Sequence, residues 1–412
     1  MKITPPVLFI LFTVMIDAMG IGLIIPVMPE LIRDVTGGGL ASAALWGGVL
    51  SSSFAFMQFL FGPLLGNISD RFGRRPVLLV SLFVMAADYL VMAVAGSLWL
   101  LLAGRIVGGI AAATQSTAAA YMADTSTRDA RGAGFGLVSA ALGLGFVLGP
   151  PVGGVLGEWH HRAPFYAAAA LAMANFIFGY YILRESLPPE KRRGFSLARA
   201  NPFGALQQIR VHPGLGRLLI VLLLYHLAFT TYPAIWSFFT IARFGWDPAM
   251  IGVSLAVFGI AMALVQGWLI RVMIARRGEA STVLTGLWVA AGSFAILAFL
   301  QNGLAALVLI PFAALAAMTV PALQAIMSQR TPENAQGELQ GIFTSVAALA
   351  MIVTPLAMTA LFSAFTAQNT PVYMPGAPFL AACLLALAAR FVFSGAVTSA
   401  ERKRAETGRF PR

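Results

Sequence analysis

Twelve apolar stretches, most of roughly twenty residues or more, constrain this chain more than anything else in it. They are Pro6–Val27, Leu45–Ile68, Pro76–Ala95, Leu98–Met122, Gly134–Leu156, Pro164–Leu183, Leu215–Ala242, Ala249–Ala275, Thr282–Leu300, Gly303–Met327, Leu339–Phe365 and Ala377–Val397. A helix needs about 20 such residues to cross the hydrocarbon core of a bilayer. Within that core the backbone must satisfy its own hydrogen bonds, so each stretch reads as a helix. Only 10% of the residues are charged, against about 25% in a soluble globular chain. The first stretch is too long for a cleavable signal and is interrupted by Asp17, so it reads as the first span. The fold predicted is an all-α membrane protein with twelve transmembrane helices.

The net charge of +11 would suit nucleic acid only if it covered a soluble face. It does not. Of the 27 Lys and Arg residues, Arg105, Arg271 and Arg390 fall well inside spans, Arg217 falls in the first turn of the seventh beside an even-numbered loop, and Arg33, Arg162 and Arg243 fall in odd-numbered loops. The rest lie in even-numbered loops and at the two ends. This bias predicts cytoplasmic termini. A single cysteine, Cys383, leaves no intramolecular disulfide framework and no thiolate cluster for a metal.

The chain also repeats itself. Gly62-Pro63-Leu64 matches Gly267-Trp268-Leu269, and Arg71-Phe72-Gly73 matches Arg276-Arg277-Gly278. Ala130-Arg131-Gly132 matches Ala335-Gln336-Gly337, and Pro150 matches Pro355, all at an offset of 205. Four matches at one offset argue for two pseudo-symmetric six-helix halves, which suits a transporter that rocks about a central site. The expected organisation is a bundle over 1–183, a polar linker over 184–214, a second bundle over 215–398 and a basic tail over 399–412.

Of the 16 acidic residues, only Asp17 and Asp88 sit in the middle of apolar stretches. A carboxyl at the bilayer centre costs roughly 2.5–3.5 kcal/mol, so it needs a task or a partner. Asp17 and Asp88 are therefore candidates for proton coupling; structural hydrogen bonding to neighbouring helices is the alternative. His226, the one histidine at membrane depth, is a further candidate because imidazole titrates near neutrality. It could equally be a packing hydrogen bond. Arg105 lies inside the fourth span. A cation favours the charged form of a neighbouring carboxyl, while burial opposes it. Arg271 and Arg390 lie nearer their helix ends, where snorkelling accounts for them. Gln58, Gln115, Gln266, Gln324 and Gln340 can hydrogen-bond a polar ligand or join helices. Among them Gln58, Gln115 and Gln266, with Tyr232 and Trp236 on the seventh span, are the candidate substrate contacts.

The loop after the second span reads Gly62-Pro63-Leu64-Leu65-Gly66-Asn67-Ile68-Ser69-Asp70-Arg71-Phe72-Gly73-Arg74-Arg75-Pro76. It resembles the signature of the major facilitator superfamily. The resemblance implies a gating latch built from Gly66, Asp70, Arg71, Gly73 and Arg74; a loop that only sets orientation is the alternative. Gly104-Arg105-Ile106-Val107-Gly108-Gly109 places Arg105 where proton-coupled antiporters of the family have an intramembrane arginine. The fifth span, Gly143-Leu144-Gly145-Phe146-Val147-Leu148-Gly149-Pro150-Pro151-Val152-Gly153-Gly154, is similar to the motif of the family's drug exporters, with Gly149 and Pro150 at its centre. Ordinary close packing of small residues is the alternative.

Ile16-Asp17-Ala18-Met19-Gly20-Ile21-Gly22, Asp88-Tyr89-Leu90, Ala123-Asp124-Thr125 and Pro321-Ala322-Leu323-Gln324 together look like the tetracycline/proton antiporters, over nearly the whole chain. The resemblance implies efflux of a hydrophobic or amphipathic, tetracycline-like drug in exchange for protons by alternating access, in a bacterial inner membrane. It implies a monomer with no cofactor, no metal site and no nucleic-acid partner. Two positions depart from the pattern. Met262 stands where the family has a His one turn before Gln266, and Ala290 stands where it has a carboxylate in the ninth span. A multidrug, lipid or metabolite exporter on the same scaffold is the alternative, and a non-transporting receptor or scaffold is the alternative of another class. No Walker-type loop is present, which fits export without ATP, and no nucleophile–base pair, His/Asp metal cluster or substantial soluble domain points to an enzyme.

Overall fold

The computed structural model describes residues 5–112, 114–125, 131–196, 201, 215–368 and 370–407, with backbone alone at 131–133 and 397–407. Ala130 of the repeat lies outside the described residues, as do Lys2, Arg128, Arg199, Arg210, Arg409 and Arg412, basic residues of the even-numbered loops and the two ends. So does most of the expected linker after Ser196.

Fifteen α-helices run through the described residues: α1 Pro5–Ile24, α2 Met28–Thr36, α3 Leu40–Phe72, α4 Arg74–Val94, α5 Leu98–Ala111, α6 Thr114–Thr125, α7 Arg131–Trp159, α8 Ala163–Ile182, α9 Gly216–Phe244, α10 Pro248–Leu264, α11 Ile270–Phe299, α12 Gly303–Ala314, α13 Thr319–Gln329, α14 Gln336–Thr366 and α15 Ala377–Thr407. Eleven helical runs are long and apolar enough to cross a membrane. One of them, Pro248–Phe299, is 52 residues long, far more than one crossing needs. It turns at Gly278, whose φ of 75° and ψ of 168° leave the helical region. Divided there, the runs correspond to the twelve expected spans. The chain is a multi-pass helical membrane protein.

The offset of 205 seen in sequence reappears in backbone geometry. Gly73 (φ 108°, ψ 161°) and Gly278 (φ 75°, ψ 168°) break the chain in the same left-handed, extended conformation, which glycine adopts without a Cβ clash. Ser97 caps α5 by accepting from Leu100 N, and Asn302 caps α12 by accepting from Leu304 N and Ala305 N. The fourth span pauses at Ala112, between α5 and α6. The tenth pauses at a 3₁₀ turn over Leu315–Met318, between α12 and α13.

The described chain forms two compact units, Met1–Pro202 with Ser237–Gly259, and Phe203–Trp236 with Ile260–Arg412. In the first, α1 packs along α7 through glycines. A Cβ on Gly149 would lie 2.6 Å from Met19 O, and Cβ atoms on Gly145 and Gly153 would collide with the carbonyls of Met15 and Leu23. Lipid offers no hydrophobic drive between helices, so such close van der Waals contact is what holds them. Val7, Phe9, Ile10 and Val14 of α1 pack with Leu78, Leu82, Tyr121 and Leu183. Thr13 Oγ1 donates to Asn175 Oδ1 of α8 at 3.3 Å. In the second unit α11 packs along α15, and Gly286 admits the Thr319 side chain against the α11 backbone. Phe294, Phe379 and Trp236 form an aromatic core there, with ring centroids 6.1 and 6.3 Å apart.

Candidate functional site

α4 presents Asp88 to α5, where it forms an ion pair with Arg105. The spacing of the glycines makes this possible. A Cβ on Gly104 would stand 2.8 Å from Asp88 Oδ1, and one on Gly108 would stand 2.6 Å from Oδ2. Any other residue at either position would push the carboxylate away. The Arg105 guanidinium also lies over the Phe54 ring, 5.0 Å from its centroid. Asp88 is 3% and Arg105 7% exposed, yet Asp88 Oδ1 and Arg105 Nε lack hydrogen-bond partners among the described residues. A buried ion pair with unfilled valences is costly and calls for an explanation beyond stability. The repeat keeps the register and drops the charges: Ser293 and Ile310 occupy the positions equivalent to Asp88 and Arg105.

Asp17 lies elsewhere, half-buried on α1, and makes no hydrogen bond or ion pair among the described residues. Three residues on, Gly20 faces Tyr89 of α4, whose hydroxyl would stand 2.8 Å from a Cβ on that glycine. His226 is in the second unit, half-buried on α9, with its ring centroid 6.3 Å from that of Tyr225. The structure thus brings Asp88 and Arg105 into contact, sets Gly20, three residues from Asp17, against Tyr89 of α4, and leaves His226 in the other unit.

The loop between α3 and α4 is a charge cluster. Arg74 NH1 pairs with Asp70 Oδ1 at 2.7 Å, and Arg74 Nε with Asp124 Oδ2 at 3.1 Å. Arg74 NH1 also donates to Ser69 Oγ at 3.0 Å. Arg71 is exposed, its guanidinium over the Phe72 ring. Gly66 is half-buried on α3, and nothing among the described residues stands within 4 Å of where its Cβ would be. Glu185, at the end of α8, accepts from the free backbone N–H groups at the start of α4, Arg74 N at 2.8 Å and Arg75 N at 3.2 Å. A carboxylate at a helix N-terminus also meets the favourable end of the helix dipole. The residues after it continue the contact: Ser186 Oγ donates to Asp124, and Arg193 N donates to Asp70 O. Asn67 Nδ2 donates to Ser196 O at 2.5 Å. The start of the linker is therefore strapped across this loop. Sequence reasoning did not single out Asp124 or Glu185 as loop partners. Their signal was available in the acid that each places at the end of a span, beside three arginines.

The proline and glycines of α7 serve two helices. Pro150 Cδ would stand 2.8 Å from a Cβ on Gly22 of α1. On the other side Gly154 lies against Pro248 and Ala249, and Gly252 against Pro150, so α10 approaches as closely as α1 does. Ser237 Oγ donates to Ile25 O at 2.9 Å within the same unit.

The candidate substrate contacts fall in three settings. Gln58 Nε2 reaches the carbonyl of Ala112, at the pause in the fourth span, at 3.4 Å. Gln115, just past that pause, is exposed, as is Gln266 in a π-helical turn over Val265–Leu269. Tyr232 and Trp236 are stacked at 4.4 Å and enclosed in the second unit, 2% and 0% exposed. A ligand could touch them only after that packing opened.

Outside the spans, Asp34 of α2 accepts from Arg162 NH2 at 2.7 Å and lies 3.2 Å from His161 Nε2. Arg162 NH1 reaches on to Ala93 O, at the end of α4. The hydrogen bond from Arg162, then that from His161, holds the Asp34 carboxyl below its ordinary value.

Comparison with known proteins bears on the family and the fold. The family model described as Major Facilitator Superfamily matches residues 10–355 and again 244–411. A tetracycline resistance protein of class C from Escherichia coli is 40% identical, over 94% of this chain and 97% of its own length. One of class G from Vibrio anguillarum is 38% identical over 93% of this chain and 97% of its own. The crystal structure of the human organic anion transporter MFSD10 (TETRAN) superposes with a TM-score of 0.66 at 27% identity. It covers 94% of this chain and 99% of that one.

Proposed function

This chain belongs to the Major Facilitator Superfamily, a transporter and not an enzyme, and we propose that it exports a drug of tetracycline type from the bacterial cytoplasm in exchange for protons. The observation that carries the reading is the pair of unequal acids in the first unit. Asp88 is clamped by Arg105 with a lone oxygen unfilled, and Asp17 is half-buried and unpaired. A carboxyl held at membrane depth without a cation is best accommodated with a proton on it, and it demands a polar partner once the proton leaves.

In the proposed cycle the drug enters from the cytoplasm while protons arrive from outside. Protonation of Asp17 or Asp88 removes the demand for a charged partner and favours one state of the gates; deprotonation favours the other. The latch of Asp70, Arg74, Asp124 and Glu185, and the α1–α7 glycine contact, are the elements whose remaking separates the two states. Both ends of the chain face the cytoplasm, as the distribution of arginine supports. A membrane potential of 100 mV supplies about 2.3 kcal/mol per charge, enough for roughly fifty-fold accumulation per proton.

Drug/proton exchange in everted vesicles tests this. Asp17→Asn and Asp88→Asn should each abolish exchange, and full exchange in both would reject the proton reading. A second reading, export of a different drug on the same scaffold, is favoured by Met262 and by Ala290, which is 1% exposed and packed. The Bacillus subtilis multidrug resistance protein 2, 28% identical over 84% of this chain, supports it too. A susceptibility panel in a pump-deficient host separates the two: tetracycline protection supports the first, and protection against other agents alone supports the second.

A further inference from the structure

One buried polar atom in the first unit has no use in the account above. The Tyr89 hydroxyl is enclosed, its residue 2% exposed, and has no hydrogen-bond partner among the described residues. An unpaired buried hydroxyl forfeits its hydrogen bonds to water with nothing in return, so a packed position normally excludes it. Here α1 makes room for it. The hydroxyl rests on Gly20, where even a methyl group would approach to 2.8 Å. Asp17 and Gly20 are three residues apart on α1 and share a face. Asp88 and Tyr89 are consecutive, so the helical step that turns Asp88 onto Arg105 turns Tyr89 onto α1.

We infer that Tyr89 is a positioning residue for Asp17: its hydroxyl donates a hydrogen bond to the Asp17 carboxylate whenever the proton has left, and stands unpaired when Asp17 is protonated. A small movement of α1 against α4 makes or breaks the bond. Because Tyr89 shares α4 with Asp88, such a movement is transmitted to the Asp88–Arg105 pair. The other titratable groups around this point are few. α7 carries none between Gly134 and Gly157, and α8 none between Ala167 and Gly179. α6 contributes Tyr121 and, at its end, Asp124, which is engaged by Arg74. Asp88 and Arg105 engage each other.

The inference rests on Asp17 acting in proton exchange, and the test separates the two claims. Tyr89→Phe keeps the ring and deletes only the unpaired hydroxyl. Its thermal midpoint in detergent should equal or exceed that of the parent, since no bond seen in the structure is lost. Its exchange rate should nevertheless fall about tenfold, and the pH of half-maximal exchange should rise by roughly one unit, the loss of one hydrogen bond to a charged group. Gly20→Ala should also slow exchange, and the double variant Gly20→Ala/Tyr89→Phe should be less impaired than the sum of the two, because the methyl no longer meets an oxygen. An unchanged pH profile in Tyr89→Phe, with Asp17→Asn inactive, overturns the inference alone. Undiminished exchange in Asp17→Asn overturns the reading beneath it as well.

Discussion

At the scale of single residues, the Asp88–Arg105 pair lets folding be tested apart from the proposed coupling. Removing one partner of a buried pair leaves an uncompensated charge, typically at a cost of 3–5 kcal/mol, whereas replacing both with apolar groups is often neutral. Asp88→Ala should therefore lower the yield of folded protein and its melting point sharply. Asp88→Ala/Arg105→Leu should restore the melting point but not proton exchange; differential scanning fluorimetry beside a vesicle assay reads both. Gly73 gives a second prediction. Its φ of 108° suits glycine, and a Cβ there would collide with the Glu185 carboxylate. Gly73→Ala should cost about 1–3 kcal/mol in backbone strain and release the start of the linker. Protease nicking between Glu185 and Ser196, faster than in the parent, would register it.

Elements were the scale most readable in the sequence, and partly for that reason the least informative about mechanism. The spans follow from hydropathy alone, because a bilayer permits little besides helices. The repeat was visible in four short matches, and the caps at Ser97 and Asn302 extend it. Asn302→Ala should destabilise by about 1 kcal/mol, and Ser97→Ala by a similar amount, measurable as matched shifts in thermal midpoint. Less was legible at the candidate site. Spacing shows that residues 88 and 89 point in different directions along a helix, but not which neighbours they meet. Glu185 bonds to an amide 111 residues away, a pairing that only the packing of α8 beside α4 creates. The charged residues of the loop were recognisable from their motif; the strap across them was not.

For the whole molecule, the clasp of Asp34, His161 and Arg162 predicts a dependence on pH. Bonding to Arg162 and His161 lowers the pKa of Asp34 in the folded state. Its contribution is therefore present above the ordinary carboxylate pKa, near 4, and is lost as pH falls through the lower folded value. Asp34→Asn should melt about 1 °C below the parent from neutral pH down to about pH 4, because an exposed pair contributes little, and the gap should close in stronger acid. A gap that widened there would contradict the assignment.

The two copies of the repeat kept the same scaffold and parted in chemistry: the second has Ser293 and Ile310 where the first has an acid and a base. On the proposed reading, in which proton exchange runs through the first copy, such divergence ties one half to its energy source and frees the other to drift. A breeder of new exporters would then recombine the later half of the gene and conserve the earlier one, much as a workshop changes the tool and keeps the motor.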